Sequence, residues 1–139
     1  MAHTVQFNGY LSVGTAGDIS SAIRAVNFPL SIEALDATVW SSDRTKKYHP
    51  GLKDFSFDVD FLDDLADNAI NEDLFTDWDA ASTIAVAYRL VNTTIGTGNP
   101  EYQFNAFIEG LTGGGAVGSL AGGKLTLRHT GALTRDVTP

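Results

Sequence analysis

Apolar and polar residues alternate strictly between Asp54 and Phe61, where Phe, Phe, Val and Phe occupy every second position. Side chains of a strand point alternately to its two faces, so this pattern predicts a half-buried β-strand. The same period recurs in five other stretches, which are Val5–Val13, Ala25–Ala34, Ile84–Leu90, Tyr102–Ile108 and Leu125–Leu127. Pro29 lies inside the second of these, which predicts an edge position or a bulge. The short run Ala37–Trp40 predicts one more strand.

One stretch has the period of an α-helix. Its apolar residues recur three or four positions apart and form a single stripe: Ile70, Leu74 and Trp78, with Phe75 beside them. Asp67 or Asn68 can cap the helix, and Glu72 and Asp73 lie near its positive N-terminal end. The pattern therefore predicts a helix over about residues 68–78 whose stripe, Trp78 included, is core and whose acidic face is solvated.

Turn-forming residues separate these elements at Gly14–Gly17, Pro50-Gly51, Asn92–Pro100 and Gly113–Gly123. Asp18 is expected to cap a short helical turn after the first of them. Residues 1–4 are expected to be flexible and residues 130–139 to form a fraying tail. About six to eight antiparallel strands with one flanking helix predict a mainly β fold, a sandwich or a barrel, in a single domain spanning residues 1–139.

The charges of the middle of the chain are segregated. The loop before the alternating strand, about residues 41–54, holds four of the nine basic residues: Arg44, Lys46, Lys47 and Lys53. The next segment, Asp54–Asp79, contains ten acidic residues and no basic one. The simpler interpretation of the loop is a solvated loop. The alternative is a docking element that meets the acidic segment of a neighbouring subunit, with charge complementarity fixing register.

Two aromatic residues favour the docking alternative. Trp40 and Tyr48 flank the basic loop, and aromatic residues beside charges are common anchors of interfaces. The acidic counter-surface would be formed by acidic residues in and just before the helix: Asp63, Asp64, Asp67, Glu72, Asp73 and Asp77.

Composition excludes several other classes of function. The formal net charge of −8 argues against a general nucleic-acid binder, which needs a basic surface to neutralise phosphates. The chain has no cysteine, so disulfides and thiolate-bound metals are excluded. Its apolar stretches are too short to span a membrane, and no signal peptide is expected at its start.

Three motifs match chemical sites only by letter. Gly113–Gly118 has the spacing Gly-x-Gly-x-x-Gly, but a poor helix former follows it, so a nucleotide site is not expected. The aspartates between Asp58 and Asp64 lack the glycine and distal glutamate of an EF-hand, and alternation with buried aromatics explains the first two of them. His3, His49 and His129 have no metal-ligand spacing. No cofactor, metal site or catalytic residue is therefore predicted.

An ordered set of segments resembles the major tail tube proteins of long, flexible-tailed bacteriophages. The set begins with Leu35–Val39, a variable loop, and Pro50–Asp54 leading into an alternating strand. Further segments extend the resemblance to most of the chain, one leading into Leu35 and the others following in order: Ile23–Ala34, Leu74–Trp78, Asn99–Tyr102 and Gly131–Arg135.

The resemblance implies a β-sandwich with a flanking helix, whose subunits form hexameric rings that stack into a hollow tube. Hairpins of six subunits would close an inner barrel, and DNA would pass through it without specific binding. The implied partners are other copies of the chain, the tape-measure protein, and the tail-tip and terminator proteins. The implied location is the tail of a virion assembled in the bacterial cytoplasm, and such a protein is not an enzyme.

Two alternatives remain open from the sequence. A tail-terminator, distal-tail or capsid-decoration protein would have a related sandwich and would form one ring or bind the capsid. A carbohydrate- or ligand-binding module would instead need a groove lined by exposed aromatics, for which Trp40, Trp78 and Tyr102 are the candidates.

Overall fold

A computed structural model describes residues 8–40, 44–62 and 70–139, and it describes the side chains of the helix from Glu72 onwards. In chain order, its elements are β1 Tyr10–Val13, β2 Gly17–Asp18, β3 Ile23–Asn27, β4 Leu30–Asp36, β5 Tyr48–Leu62, α1 Ile70–Asp79, β6 Ile84–Arg89, β7 Glu101–Gly114 and β8 Gly122–Asp136. The mainly β fold with one flanking helix that the sequence predicted is confirmed.

All the strands pair antiparallel, in the order β2, β1, β6, β7, β8, β5, β3, and β4 pairs with β5 beyond the end of β3. The long strands change neighbours along their length. The first part of β7 pairs with β6 and β8, whereas its second part pairs with β8 alone. Similarly, β8 pairs with β5 only up to Arg128. These changes of neighbour divide the sheet into two parts that share β7 and β8.

The predicted inward faces of the strands form the core. Its most buried members are Leu11, Val13, Ile19, Phe57, Val59, Phe61, Leu74, Val86, Ala106, Leu125 and Leu127. Phe28 lies at the centre of an aromatic cluster, with its ring 5.2 Å from that of Phe57 and 5.8 Å from that of Phe104. Each fully buried side chain of this kind stabilises the fold by about 1.5–3 kcal/mol. The sheet is therefore held together by aromatic contacts between strands that do not pair.

The single strand expected over Ala25–Ala34 is wrong, because the chain forms β3 and β4 with a break at Phe28 and Pro29. Proline has no N–H to contribute to a ladder, so a strand is readily interrupted there. The predicted edge position of Pro29 is confirmed, because β3 and β4 pair only with β5.

The segment expected to be a loop is largely an extended hairpin. Ala37–Trp40 is not a strand, and Tyr48–Asp54 belongs to β5 and pairs with β4. The turn expected at Pro50-Gly51 is wrong, since Pro50 pairs with Ala34. In the part of β5 before Ser56, the edge opposite β4 has no described partner. An unpaired edge tolerates proline. We call residues 30–54 the arm.

The helix α1 lies against β7 and the 3₁₀ turn Gly14–Ala16. The predicted helix is confirmed, but the capping residues expected at 67 and 68 lie outside the described residues. Leu74 is buried as expected. Placing Trp78 in the core was wrong, because 47% of its surface is exposed.

The C-terminal residues do not fray as far as Asp136. Tyr102 pairs with Arg135, and Glu101 pairs with Asp136. Residues 130–136 are mostly polar because the end of β8 is largely exposed to solvent, and not because the chain leaves the sheet there.

Substituting Gly123 is expected to disrupt the β7–β8 hairpin. A Cβ atom at Gly123 would lie 1.9 Å from the backbone oxygen of Thr112, whereas a Cβ at its partner Gly113 would meet nothing within 4 Å. Gly123→Ala should therefore cost about 1–3 kcal/mol of unfolding free energy through overpacking. Gly113→Ala, the matched control, should be neutral or slightly stabilising. Urea unfolding of both variants checks this. Equal denaturation midpoints would contradict the pairing of Gly113 with Gly123 between β7 and β8.

Candidate assembly surfaces

The arm exposes apolar side chains on both of its strands. Every residue of β4 is exposed, and large apolar residues of the arm are exposed by 47–79% of their surface: Leu30, Ile32, Leu35, Val39, Tyr48 and Leu52. Apolar groups of this size cluster on a monomer surface mainly where a partner binds. The arm is therefore the strongest candidate for an interaction surface.

Three of these apolar residues, Leu30, Ile32 and Tyr48, share one face of the arm, whereas Leu35 points to the other. Leu30, Ile32 and Ala34 alternate along β4 and share a face. Ala34 pairs with Pro50, and Asp36 pairs with Tyr48, so both β5 residues also lie on that face. The same face continues into the core, because Leu30 pairs with the buried Phe55. The arm thus extends the inner surface of the sheet beyond the body of the molecule.

The tip of the arm is closed by a polar network. The backbone N–H of Thr38 donates to Asp36 Oδ1 at 2.9 Å, and Lys47 N–H donates to Thr38 Oγ1 at 3.0 Å. Hydrogen bonds from the side chain and the backbone of Thr38 lower the pKa of the Asp36 carboxyl. Ala37 N–H also donates to the Lys47 carbonyl at 2.9 Å. This network fixes the chain on either side of the basic residues.

The structure places most of the predicted docking residues together. Arg44, Lys46, Lys47 and Trp40 lie in the connection between β4 and β5, and all four are exposed. Tyr48 begins β5 beside them. Lys53 lies five residues after Tyr48 along the strand, about 17 Å away at the usual rise per residue, and pairs with Ile32. Lys53 therefore belongs to the root of the arm and not to its basic tip.

The acidic counter-surface is only partly as predicted. Glu72 is exposed and Asp73 half-buried in the first turn of α1, whereas Asp63, Asp64 and Asp67 lie outside the described residues. Including Asp77 was wrong, since only 5% of its surface is exposed. Its carboxylate accepts from Thr15 Oγ1 at 2.8 Å and from Thr15 N–H at 3.3 Å. Asp77 therefore holds the helix to the turn after β1.

The helix carries an aromatic pair in addition to its acids. Phe75 and Trp78 are exposed by 54% and 47%, and their ring centroids lie 5.7 Å apart. The sequence pattern assigned both rings to the core side. Residues three apart share a helix face, and Leu74 and Asp77 form the buried face. Phe75 and Trp78, each one position later, share the neighbouring face, which is exposed. An acidic surface with exposed aromatics is therefore available for contact.

Replacing Asp77 should affect folding and leave the surface charge pattern of the helix intact. Asp77→Ala removes the acceptor of both Thr15 hydrogen bonds and is expected to cost about 1–2 kcal/mol of unfolding free energy. Asp79→Ala, an exposed aspartate two positions on, should change it by less than about 0.5 kcal/mol. Thermal unfolding of both variants makes the comparison, and equal effects would contradict the buried position of Asp77.

Several strand edges have no partner among the described strands, including the outer edge of β3, one edge of the arm part of β5 and the edge of β8 beyond Arg128. Two further free edges bear on assembly. One is the outer edge of β4, and the other is the edge of β7 from Phe107 to Gly114, because β6 pairs with β7 only up to Ala106. Unpaired edges readily add a strand from another chain. These two edges lie at opposite ends of the part of the sheet that contains β7, β8, β5 and β4.

The face of these strands that points away from the core is polar and acidic. Its charged residues include two basic ones, Lys124 and Arg128, and five carboxylates, Asp54, Asp58, Asp60, Glu109 and, on β4, Glu33. Arg128 Nε donates to Glu109 Oε2 at 2.9 Å, and Arg128 lies 3.5 Å from Asp54. The hydrogen bond and charge of Glu109 raise the pKa of Arg128. The carboxylates thus outnumber the basic groups on this face.

Nothing in the described residues points to metal chemistry. Across residues 8–40, 44–62 and 70–139, no three His, Asp or Glu side chains are grouped so as to hold a metal ion. No helix in the described part of the chain is long and apolar enough to cross a membrane.

Known structures share this fold, although no protein-family model and no curated protein matches the sequence. A chain of the virion of a native gene transfer agent particle aligns with a TM-score of 0.79 and 14% identity, over 98% of this chain and 100% of that one. A chain of the SPP1 tail tube aligns with a TM-score of 0.70 and 12% identity, over 94% of this chain and 76% of that one. This is the fold of a tail tube protein.

A further structure with this fold belongs to an assembly with six-fold symmetry. A chain of the tail of the empty gene transfer agent particle, refined with C6 symmetry, aligns with a TM-score of 0.72 and 15% identity, over 91% of this chain and 96% of that one. The resemblance to tail tube proteins that the sequence indicated is confirmed at the level of the fold. The matched chains come from a virion, a tail and a tail tube.

Proposed function

We propose that this protein is the subunit of a phage-type tail tube, in which copies of the chain form rings that stack around a channel for DNA. The observation that carries the proposal is the match to chains of a gene transfer agent virion and of its tail over nearly the full length of both partners. The exposed apolar arm supports it, because such an arm has a function only when another subunit covers it.

In the proposed ring, the free edge of β7 in one copy pairs with the free outer edge of β4 in the next. Pairing these two edges in a closed ring removes both of them from solvent, which is how barrels avoid aggregation. Six copies per ring are proposed because the related tail has C6 symmetry. The polar faces of these strands would then line the channel.

Stacking of rings is assigned to the arm. Its tip, with Trp40, Arg44, Lys46, Lys47 and Tyr48, would contact the acidic surface of a copy in the adjacent ring. Glu72 and Asp73 supply the opposite charge, and the exposed Phe75 and Trp78 supply apolar contact area. Complementary charges would set the register, and the aromatic rings would supply most of the affinity.

The acidic polar face suits a channel for DNA. A duplex is held by cations that neutralise its phosphates, and a surface with more carboxylates than cations repels it. Six copies carry a formal charge of −48, six times −8. DNA would therefore move through the channel without specific binding.

The further partners are proposals from the family resemblance. A tape-measure protein would occupy the channel during assembly, and tail-tip and terminator proteins would close the two ends of the tube. The protein would be made and assembled in the bacterial cytoplasm and would reside in the tail of the virion.

Sedimentation velocity tests the proposed self-association directly. The purified chain is expected to form particles of six subunits, and larger multiples of six as its concentration rises. Removing the tip by replacing residues 37–47 with a short Gly-Ser linker should retain the six-subunit particle and eliminate the larger ones. A single monomer species at every concentration would contradict the proposal.

A further inference from the structure

The arm leaves the body of the protein at a branch point between two strands. β5 and β8 pair up to Ser56 and Arg128, and from there β5 continues into the arm while β8 continues beside β7. His129 is the first residue of β8 beyond the branch. A cleft of about 490 Å³ opens there between the arm and β8, and His129 lines it with Leu30, Ile32 and Leu133.

His129 connects the two sides of this branch. Its Nε2 atom lies 3.1 Å from Asp54 Oδ1 on the arm side, and its Nδ1 atom lies 3.0 Å from the carbonyl oxygen of Gly131 on β8. Its ring stacks on Phe55 with the centroids 4.0 Å apart and the planes 20° apart. Only 18% of the side chain is exposed. The ring is therefore fixed in its position at the root of the arm.

Both partners of the ring nitrogens are acceptors. A carboxylate and a backbone carbonyl have no hydrogen to donate, so each bond requires an N–H on the histidine. A neutral imidazole has one N–H and can make only one of the two bonds. The imidazolium has two and makes both, and its bond to Asp54 is then charge-assisted.

The charged groups around the ring come from three strands. Asp54 and Lys53 lie on β5, Arg128 precedes the histidine on β8, and Glu109 on β7 pairs with Arg128. Arg128 also lies 3.5 Å from Asp54, so it shares the carboxylate with His129. The two carboxylates of this group offset the cations beside the ring.

We propose that His129 is a protonation-dependent clasp that fixes the direction of the arm. When the ring is protonated, it ties β5 to β8 at the branch. When the ring loses its proton, it keeps at most one of the two bonds, and any remaining bond to Asp54 is no longer charge-assisted, so the arm pivots more readily. The inference rests on the proposed function, because a fixed arm would favour docking onto the next ring.

Hydrogen exchange of the dilute full-length monomer tests the clasp without requiring assembly. Protection factors of amides in β4, corrected for intrinsic exchange, are compared at pH 6 and pH 8. The wild type is expected to lose protection by roughly threefold to tenfold at the higher pH, a modest change because Asp54 is partly exposed. Amides of β6, outside the branch, should change much less.

Two histidine variants make the test specific. His129→Phe keeps an aromatic ring on Phe55 but has no ring N–H, so its β4 protection should be low and independent of pH. His49→Phe removes the exposed histidine of the arm and should retain the wild-type pH response. A wild type without pH response, or a His129→Phe variant that responds as the wild type does, would overturn the clasp. If the clasp behaves as expected but no rings form, the proposed function is wrong instead.

Discussion

Reversing the charge of the arm tip with Lys46→Glu and Lys47→Glu is expected to abolish the stacking of rings while leaving the fold and the rings intact. Both lysines are exposed. One exposed ion pair contributes only about 0.2–1 kcal/mol. Six arms would act together at each proposed ring interface, so replacing attraction by repulsion at every arm amounts to several kcal/mol. Pelleting of tubes by ultracentrifugation measures the loss.

A compensating exchange of charge makes this test specific. Adding Glu72→Lys and Asp73→Lys to the reversed tip should restore a substantial part of the stacking, because the two surfaces are again opposite in sign. Arg135→Glu, a reversal on β8 outside the arm, serves as the control and should stack normally. Normal stacking of the doubly reversed tip would show that the arm does not dock through its charges.

Phe57→Ala is expected to have the largest effect on stability. Phe57 is fully buried, and its ring packs against those of Phe28, Tyr88 and Phe104 at 5.2, 5.3 and 5.7 Å. Truncating such a ring leaves a cavity and costs about 3–5 kcal/mol. A domain of this size has a total stability of about 5–15 kcal/mol. Much of the native population could therefore be lost at 37 °C.

Chemical denaturation followed by circular dichroism measures this cost. Phe107→Ala is the matched control, because Phe107 is 41% exposed on the outer face of β7. Its truncation should change the unfolding free energy by less than about 1 kcal/mol. Equal losses in the two variants would mean that the aromatic cluster around Phe28 does not form the core.

Alternation predicted the core strands correctly because burial on one face leaves a period of two in the sequence. Phe57, Val59 and Phe61 are buried as that pattern required. The second strand of the arm, Tyr48–Asp54, was mistaken for a loop because both of its faces are largely exposed in the monomer, so no alternation remains to reveal it. Pro50 and Gly51 also have the composition of a turn. Here they lie within β5, which pairs with β4 on one edge and has no described partner on the other.

The candidate site was predictable in its charges and not in its geometry. The basic residues were placed near one another because they are close in sequence. The sequence could not show which acids of the helix are buried and which are exposed. Asp77 and Asp79 have the same chemistry, but only Asp77 packs against Thr15. The same rotation of the helix that buries Asp77 exposes Phe75 and Trp78. Single-sequence periodicity over ten residues is too short to fix such a rotation.

The central claim is that this chain assembles into stacked rings, and negative-stain electron microscopy of the concentrated purified protein tests it most directly. The account predicts hollow tubes with a regular axial repeat, and end-on views of rings with six-fold symmetry. Separate single rings would retain the ring contact and contradict the stacking assigned to the arm. A field of uniform small monomers under the same conditions would contradict the account as a whole.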